Sequence, residues 1–462
     1  MRVVATNKLT VIQDPSPKVR DALTKLLSYR DKSKDFQLRR MASNPAMKRS
    51  SFYKKLLAEA RGSMLHELPD GNIAMSTGFL HLIENMGIDY DDRRVETGKT
   101  VPLPWKNKPY NLRDYQKEAV DLMSNNYRGI INFATGLGKT LVATHAIKAH
   151  RTRTLVTAPT ESIAKQFYNT LVEAFGEAKV GFYGGGKKKI KEITVGICAS
   201  VNNNVEEFKK HDLGLIIMDE AHHVPASTFF NICWSLADTG KIFGLTATDY
   251  RNDGKDVMIN AGCGDVIISK DIKWGIENRW LAAPKFRIQK VDTDHRKDYK
   301  NDKVKSYKEH VLNCQEMKDQ ILQDAQNDMA NGLSTLILVN EVAHGEELSS
   351  LLGIPFATGK DKKSHEYVRA LNDGKIPGLI GTDGKVGEGT DTTRVDSLIL
   401  ANFTAAKGSV IQAVGRGLRK YGSKTSCIVR DYWPTGSGML SRHASKRVEY
   451  YREITDDVEI YE

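Results

Sequence analysis

The residues of this chain that could do chemistry lie in two short segments, each directly after an apolar run. The first segment is Thr135-Gly136-Leu137-Gly138-Lys139-Thr140, which follows Ile130-Ile131-Asn132-Phe133. Glycines let the backbone curl so that its N–H groups point at phosphate oxygens, while the lysine reaches the outer phosphates and the threonine hydroxyl ligates Mg²⁺. A helix that begins near Lys139 adds its positive N-terminal end. These six residues are therefore predicted to bind the phosphates of a nucleoside triphosphate.

The strict form of this pattern has a glycine five residues before the Gly-Lys pair, and Phe133 stands at that position. We interpret the difference as a variant of the loop, Thr-Gly-x-Gly-Lys-Thr, that tolerates a larger residue there. The alternative is a glycine-rich turn without a function.

The second segment places two adjacent carboxylates after a buried strand. Asp219 and Glu220 follow the apolar run Leu215-Ile216-Ile217-Met218, and α/β sheets place their ligands at such strand ends. A buried carboxylate is costly without a cation. Asp219 is therefore predicted to hold Mg²⁺ through water, and Glu220 to orient and deprotonate the attacking water. Together the two segments predict Mg²⁺-dependent hydrolysis of ATP or a close analogue.

The pattern of apolar runs predicts an α/β fold with two doubly wound parallel sheets in tandem. The first set of strands is Gly129–Phe133, Thr154–Ala158, Thr194–Ala199, Leu215–Met218 and Lys241–Leu245. The second set is Thr335–Val339, Gly378–Gly381, Ser397–Ala401 and Ser426–Asp431. We expect a basic α+β domain at 1–104, a nucleotide-binding lobe at 105–283, a charged linker or insert at 284–331 and a second lobe at 332–462.

The basic charge of the chain is concentrated at its N-terminus. The 462 residues carry a net charge of +11, and residues 1–61 hold 15 lysines and arginines against 5 acidic residues, a net +10. Basic residues interleaved with Phe52 and Tyr53 suit phosphate contact with base stacking. The predicted nucleic-acid contacts in this region are Arg39, Arg40, Lys48 and Arg49. The alternative is a solvated helix face.

Other classes of protein are not favoured by the composition. No run approaches the roughly 18 apolar residues of a membrane span, and the N-terminus lacks the apolar core of a secretory signal. The five cysteines are scattered and include no Cys-x-x-Cys pair, so neither a zinc site nor a disulfide framework is expected. We expect an intracellular protein, in the host cytoplasm if it is encoded by a phage.

Seven motifs occur in the order found in superfamily 2 helicases and translocases, and the chain resembles that family over residues 110–432. The motifs are Leu112–Gln116, the phosphate loop, Ala158–Thr160, Asp219–His222, Leu245–Thr248, Gly381–Asp391 and Gln412–Arg419, and Gly184–Gly185 and Ala199–Ser200 lie where further backbone contacts occur. In this family a proline usually follows the motif that ends at Thr248, and here Asp249 follows it. The resemblance implies two RecA-like lobes.

The resemblance also implies roles for individual residues. Adenine and nucleotide contacts are implied for Arg113, Gln116, Glu388 and Asp391. Contacts with the nucleic-acid backbone are implied for Pro159, Thr160, Gly184, Gly185, Ser200 and Thr382. Gln412, Arg416 and Arg419 are implied to take part in catalysis, with Gln412 meeting His222 when the lobes close.

An arginine supplied by the second lobe would stabilise the charge that develops on the γ-phosphate. Arg416 and Arg419 are three residues apart, so we expect them on one face of a helix. Arg419 is the first candidate for this arginine and Arg416 the second. The alternative is that both are surface arginines.

Within the family, the compact core and basic N-terminal domain resemble phage branch-migration helicases of the UvsW type and, more distantly, XPB-like repair helicases. Met75–Leu80 and Asp92–Arg94 resemble stretches of those proteins. The implied activity is ATP-driven fork regression, Holliday-junction migration and D-loop dissociation by a monomer, with recombination or replication proteins as possible partners. DNA rather than RNA rests on this resemblance. An ATP-gated clamp and a duplex translocase that does not separate strands remain the alternatives, with an RNA helicase less favoured.

Overall fold

The computed structural model describes residues 1–220, 226–247, 256–300, 302–359, 361, 363–382 and 392–462, with the side chains of 32, 33, 58, 59, 226 and 256 excepted. These residues divide into two compact units. The first unit comprises residues 1–133 and 138–269, and the second comprises residues 134–137 and 270–462. None of the described helices is both long enough and apolar enough to cross a membrane.

The N-terminal part of the first unit is an α+β region built on a small sheet. Its elements are β1 (Arg2–Ala5), β2 (Leu9–Gln13), α1 (Pro17–Leu27), β3 (Ser28–Arg30), α2 (Lys32–Ala42), α3 (Pro45–Lys48), α4 (Ser51–Ala60), β4 (Arg61–Ser63), β5 (Leu65–Glu67), β6 (Ile73–Ser76), α5 (Leu80–Asn85) and β7 (Asp91–Asp92). Five strands form a sheet in the order β5-β6-β2-β1-β7, and β3 pairs with β4 in a separate antiparallel ribbon.

The N-terminal sheet shares its apolar core with a later part of the same unit. Val3, Ile12 and Ile73 are buried in a cluster that also contains Ala261. The Ser76 hydroxyl donates to the Ala261 carbonyl oxygen at 2.5 Å. Because these contacts span nearly 200 residues of sequence, the sheet is part of the folded first unit and cannot be removed without exposing its core.

Helices α2, α3 and α4 form a separate helical module, residues 31–60, which is joined to the sheet by the ribbon. Leu38, Leu56 and Ala60 are its buried core. Asn44 caps α3, with Pro45 at the first helical position, and Ser50 caps α4. These caps explain why so short a segment forms two helices.

The rest of the first unit is an eight-stranded sheet in the order β11-β10-β12-β9-β13-β14-β8-β15. Its strands are β8 (Arg128–Phe133), β9 (Thr154–Ala158), β10 (Val180–Gly184), β11 (Lys187–Lys188), β12 (Ile193–Ile197), β13 (Leu215–Met218), β14 (Lys241–Thr246) and β15 (Val266–Lys270). Its helices are α6 (Asp114–Asn125), α7 (Lys139–His150), α8 (Glu161–Phe175), α9 (Cys198–Asn203), α10 (Val205–Phe208), α11 (Ala226–Ser235) and α12 (Asp256–Cys263). The central strands from β10 to β8 run parallel to one another, whereas β11 is antiparallel to β10.

The second unit contains a seven-stranded parallel sheet in the order β18-β19-β17-β20-β21-β16-β22. Its strands are β16 (Ala283–Val291), β17 (Thr335–Val339), β18 (Phe356–Ala357), β19 (Gly378–Thr382), β20 (Ser397–Ala401), β21 (Ser426–Pro434) and β22 (Val458–Tyr461). Its helices are α13 (Ile272–Glu277), α14 (Lys303–Tyr307), α15 (Gln315–Ala330), α16 (Val342–Leu352), α17 (Ser364–Asn372), α18 (Lys407–Gly417) and α19 (Gly438–Ile454). The prediction of α/β architecture with two parallel RecA-like sheets is confirmed.

The stretch expected to be a charged linker, 284–331, differs from that expectation. It supplies β16, which pairs along its whole length with β21 inside the second sheet, and α15, whose Met317 and Ile321 are buried in the core of that unit. In β16 the buried Phe286 and Ile288 alternate with more exposed charged residues. This alternation lowers the mean hydropathy of the strand, so its sequence is easily taken for a linker.

A buried ionic network ties α19 to β21 in the second unit. The Arg447 guanidinium donates to both carboxylate oxygens of Asp431, at 2.7 and 3.0 Å, and the Tyr451 hydroxyl donates to Asp431 at 2.8 Å. Arg447 and Asp431 are 2% and 1% exposed. Removing one partner would leave the other charge buried and uncompensated.

We therefore predict that Arg447→Met lowers the free energy of unfolding of the second unit by about 3–5 kcal/mol. The matched control is Lys407→Met, since Lys407 and Glu453 form an ion pair in the same unit with both side chains more than half exposed. That change should cost less than about 1 kcal/mol. Urea denaturation measures both, and equal losses would contradict a structural role for the buried pair.

Candidate active site

The phosphate-loop lysine lies at the start of α7 and is held by two groups of the first unit. Its ammonium donates to the Phe133 carbonyl oxygen at 2.9 Å, and Nζ lies 4.0 Å from Glu220 Oε1. β8 and β13 are parallel to β14, which lies between them, so their carboxyl ends share one edge of the sheet. The sheet thereby brings Lys139 and Glu220, 81 positions apart, to one place.

Phe133 has a structural reason to replace the usual glycine. Its ring is fully buried, and it meets the ring of Tyr115 edge-on with the centroids 5.3 Å apart. A glycine here would leave a cavity between β8 and α6. Only the Phe133 carbonyl oxygen faces the loop, where it accepts from Lys139, so the departure from the strict pattern leaves the backbone cradle intact.

Gln116 is fixed beside the phosphate loop by the start of α6. Its Oε1 accepts from the Arg113 backbone N–H at 2.9 Å, and the Arg113 guanidinium donates to the Tyr115 hydroxyl at 3.1 Å. A side chain at Gly138 would collide with the Gln116 amide, and Gly138 also has a positive φ of 85°. Gly138 is thus required both for its backbone conformation and for the close approach of Gln116.

The carboxylate pair stands directly after β13. The Asp219 backbone N–H donates to the Thr157 carbonyl oxygen at 2.8 Å, and its side chain is 7% exposed. Burial, and next the charge of Glu220, raise the pKa of Asp219 well above its usual range, while Lys139 opposes the shift. Glu220 has a φ of 46°, a left-handed conformation that is costly for a glutamate. Strain of this kind is concentrated at functional sites.

The residues present fit a Mg²⁺ ion bound together with a nucleotide. A buried carboxylate with a raised pKa is stabilised in its charged form by a nearby cation, and the half-buried Thr140 can supply a hydroxyl oxygen. Mg²⁺ is usually held by one or two carboxylates with substrate phosphates and water. Among the residues that the structure describes, no group of three or more His, Cys, Asp or Glu side chains could hold a metal ion by itself.

The expectation that Arg416 and Arg419 share a helix face is wrong. Arg416 lies in the last turn of α18, which ends at Gly417, and it is 6% exposed. Arg419 lies beyond the helix and forms an isolated β-bridge with Leu281. A side chain at Gly417 would lie 3.0 Å from the Cys427 sulfur, so close packing at the end of α18 requires a glycine there, a residue of low helix propensity.

Residues 134–137 of the phosphate loop group with the second unit and contact its arginine segment. The Ala134 N–H donates to the Lys270 carbonyl oxygen at 2.9 Å. A Cβ built on Gly136 would lie 3.2 Å from Arg419 Cγ, and one on Gly415 would lie 2.9 Å from Thr135 Cβ. The stem of Arg419 therefore lies against residues 134–137 of the loop, and its catalytic role stays a prediction. Gln412 is half-buried on α18.

The residues predicted to contact nucleic acid occupy several elements. Pro159 and Thr160 follow β9, with the Thr160 hydroxyl capping α8, and Gly184 and Gly185 lie at the turn between β10 and β11. Thr382 ends β19. Ser200 lies in α9, so the strand predicted as Thr194–Ala199 is wrong at its end, because the helix begins at Cys198. The contacts themselves stay predictions.

The four basic residues predicted to bind nucleic acid at the N-terminus are all exposed on the helical module. They are Arg39 and Arg40 in the last turn of α2, Lys48 at the end of α3 and Arg49 at its C-cap. Several residues of the sequence-based assignment lie outside the described residues, namely His222, Thr248, Asp249, Glu388 and Asp391.

Comparison with known proteins finds similarity to a restriction-enzyme subunit and to helicases and translocases. The family model described as the res subunit of type III restriction enzymes matches residues 109–251. The Saccharomyces cerevisiae protein named as ATP-dependent helicase IRC3 is 27% identical over 355 residues, covering 70% of this chain and 51% of that protein. The Sulfurisphaera tokodaii protein named as DNA 3'-5' translocase XPB2 is 25% identical over 366 residues, covering 70% of this chain and 81% of that protein. This chain thus spans about half the length of the yeast relative.

Two solved structures are similar to this chain, and the first of them shares its fold. A fragment of an HsdR subunit of a type I restriction enzyme from Vibrio vulnificus is 20% identical, covers 90% of this chain and 82% of that chain, and has a TM-score of 0.52. T4 UvsW is 17% identical, covers 100% of this chain and 98% of that chain, and has a TM-score of 0.44.

Two parallel RecA-like sheets, a phosphate loop and an Asp-Glu pair define a helicase-type nucleotide hydrolase. The chain is similar, over 70% of its length, to proteins named as an ATP-dependent helicase and a DNA translocase.

Proposed function

We propose that this protein is an ATP-driven DNA motor that remodels branched DNA by fork regression, Holliday-junction migration and D-loop dissociation. The observation that carries the motor is the meeting of Lys139 with Glu220, 4.0 Å apart, beside the buried Asp219. DNA as the substrate is supported by the Sulfurisphaera tokodaii relative, which is named as a DNA translocase. Branched DNA is supported by the N-terminal basic charge and by the resemblance to phage branch-migration helicases.

Each residue of the site has a definable task in this reaction. Lys139 would leave its contact with the Phe133 carbonyl oxygen and bind the outer phosphates. Thr140 and Asp219 would hold Mg²⁺, which supplies charge neutralisation at the phosphates. Glu220 would accept the proton of the attacking water. Arg419, with Arg416 as the second candidate, would stabilise the charge that develops on the γ-phosphate.

The helical module is the part of the chain proposed to distinguish branched from single-stranded DNA. Phosphate contacts dominate affinity that is independent of sequence, and the module exposes Arg39, Arg40, Lys48 and Arg49. A fork offers duplex arms besides the strand on which the two lobes move. The module would therefore grip a duplex arm at the junction.

A labelled four-way junction tests this proposal most directly. With ATP and Mg²⁺ the protein should convert the junction into two duplex products, and Glu220→Gln should not. The matched substrate is a junction with heterologous arms, which cannot migrate. Conversion of both substrates at equal rates would indicate simple strand separation, and ATP turnover without conversion of either would support translocation alone.

Removal of the helical module should weaken fork binding selectively. Arg30 and Arg61 are direct partners in the antiparallel ribbon, so residues 31–60 can be replaced by an Asn-Gly turn that closes the hairpin. We predict unchanged ATP turnover without DNA, a loss of fork affinity greater than the loss of single-strand affinity, and a lower salt slope by about 0.9 for each lost phosphate contact.

The matched control for this deletion is the full chain measured across the same salt series. Deletion of the whole segment 1–104 is unsuitable, because its sheet shares a core with Ala261. Equal fork affinities of the full chain and of the shortened chain at every salt concentration would show that the module is an appendage without a role in DNA binding.

A duplex translocase without strand separation is the second candidate. The family model that matches residues 109–251 describes a restriction-enzyme subunit, and an HsdR fragment shares the fold. A triplex-displacement assay on linear duplex distinguishes the two. A pure translocase should displace the third strand while leaving four-way junctions unconverted.

A further inference from the structure

A basic cleft lies at the base of the helical module, where the β3–β4 ribbon joins it to the N-terminal sheet. The cleft has a volume of about 690 Å³ and is lined by Lys25, Ser28, Tyr29, Arg30, Arg61, Gly62 and Ser63. Three of these seven residues are cationic and none is acidic. A cleft with this lining is suited to an anion.

The register of the ribbon places its two arginines against each other. Arg30 pairs with Arg61, and Ser28 pairs with Ser63, so these four side chains share one face of the ribbon. All four residues are exposed. Like charges that lie directly opposite in an antiparallel pair are destabilising. Folding alone therefore gives no reason for this arrangement, whereas an anion bound between the guanidinium groups would.

The ribbon is fixed in one geometry before any ligand binds. On its other face the ring of Tyr29 lies so close to Gly62 that any side chain at 62 would collide with it. The ladder continues at both ends, because the Met64 N–H donates to the Leu27 carbonyl oxygen and the Asp31 N–H donates to the Ala60 carbonyl oxygen, both at 2.9 Å. Because the ribbon already holds Arg30 and Arg61 opposite each other, little conformational entropy is lost when an anion binds between them.

The hydroxyl groups of the cleft differ in what they can offer. Ser63 Oγ accepts from the Leu65 backbone N–H at 3.1 Å, which leaves its proton for an acceptor. Ser28 Oγ donates to the Thr24 carbonyl oxygen at 2.5 Å. Ser63 is therefore the hydroxyl able to donate to a phosphate oxygen, next to the guanidinium groups.

We propose that this cleft binds backbone phosphates of nucleic acid, with Lys25, Arg30 and Arg61 as the cations and Ser63 as a hydrogen-bond donor. The inference rests on the proposed DNA motor and deepens it, since it adds a binding site at the base of the module. We favour a polynucleotide over a small anion because the ribbon that lines the cleft also joins the helical module, which exposes further arginines and lysines.

The test removes the opposed charges while keeping the fold. The variant is Arg30→Gln with Arg61→Gln in the full chain, and the charge-preserving variant is Arg30→Lys with Arg61→Lys. The matched control is Arg2→Gln with Arg93→Gln, which removes two exposed arginines that pair with Asp91 in the same region. Fork affinity is measured across a salt series, together with ATP turnover in the absence of DNA and thermal stability.

We expect the glutamine pair to lower the salt slope by about 2 and fork affinity roughly 10- to 60-fold near 0.1 M salt, as for two lost phosphate contacts. The Arg30→Lys, Arg61→Lys variant should keep most of the salt slope and most of the fork affinity of the wild type. DNA-independent ATP turnover should not change, and thermal stability should stay equal or rise because a like-charge repulsion is removed. The Arg2→Gln, Arg93→Gln control should lower the salt slope by less than half as much as the Arg30→Gln, Arg61→Gln variant does.

The outcomes separate this inference from the proposed function. If the wild-type protein binds forks and the glutamine pair binds them equally well, only the cleft proposal is overturned. If the wild type binds no DNA, both are overturned. A free-anion site is tested with inorganic phosphate: stabilisation of the wild type by millimolar phosphate, lost in the glutamine pair while fork affinity is kept, would also overturn the cleft proposal.

Discussion

Lys139→Ala should reduce ATP turnover by at least about 10²-fold, the scale of loss when one group that stabilises a developing charge is removed. In the described part of the structure the Lys139 ammonium donates to a carbonyl oxygen at 2.9 Å and lies 4.0 Å from a carboxylate oxygen of Glu220, and we expect it to exchange these contacts for the phosphates. DNA affinity without nucleotide should remain largely intact, because the basic N-terminal segment is separate from the phosphate loop. Measurements of turnover and of nucleotide-free fork binding give the two results.

The matched control for this substitution is Lys209→Ala. Lys209 belongs to the same unit and forms an exposed pair with Glu206 at 2.5 Å, so its loss should leave turnover unchanged. Turnover at the wild-type rate in purified Lys139→Ala protein would contradict the motor as a whole. Equal losses in the two variants would indicate a general effect of charge on folding.

Glu220→Gln should separate nucleotide binding from chemistry. The amide keeps the size of the side chain and its strained backbone position but cannot take a proton from water, so turnover should fall roughly 10²- to 10⁴-fold. ATP should still bind with nearly wild-type affinity, and the variant should form a long-lived complex with ATP and DNA. Single-turnover kinetics and equilibrium binding of a fluorescent ATP analogue measure the two effects.

The alternative for Glu220 is a structural role, since it lies 4.0 Å from Lys139 and has a φ of 46°. If the glutamine variant lost ATP affinity in proportion to turnover, Glu220 would act by positioning Lys139. Glu206→Gln, at an exposed position of α10, is the control and should change neither quantity.

The sequence was sufficient for elements whose residues all face the core. Thr154–Ala158 and Leu215–Met218, like Thr335–Val339 and Ser397–Ala401, were predicted with the bounds that the structure has. Each is a short apolar run, rich in β-branched residues or leucine, that is buried on both faces of a parallel sheet, so its whole length carries the signal. The phosphate loop and the Asp-Glu pair were predictable because they follow such strands directly.

The sequence was not sufficient where distant residues decide the structure. β16 alternates apolar with charged residues, and its pairing with β21 and β22 makes it a strand. The end of α18 depends on packing against Cys427, which lies ten positions after Gly417 in the sequence. No local pattern shows that Ala261 completes the core under the N-terminal sheet.

The basic cleft is a third case, in which the residues are visible in the sequence but their arrangement is not. The ribbon strands have three residues each, which is shorter than any periodic pattern that can be recognised with assurance. The mirrored segments Ser28-Tyr29-Arg30 and Arg61-Gly62-Ser63 carry a signal that becomes visible only once their antiparallel register is known.

The central claim is that ATP hydrolysis at Lys139, Asp219 and Glu220 is coupled to movement on DNA. The most direct measurement is steady-state ATP turnover of the full chain with Mg²⁺ as forked DNA is titrated in, with Glu220→Gln measured in parallel. We predict turnover that is low without DNA, rises and saturates with the fork, and is at least about 10²-fold lower at all DNA concentrations in the variant. Turnover that is independent of DNA, or that stays near the wild-type rate in the variant, would contradict this claim.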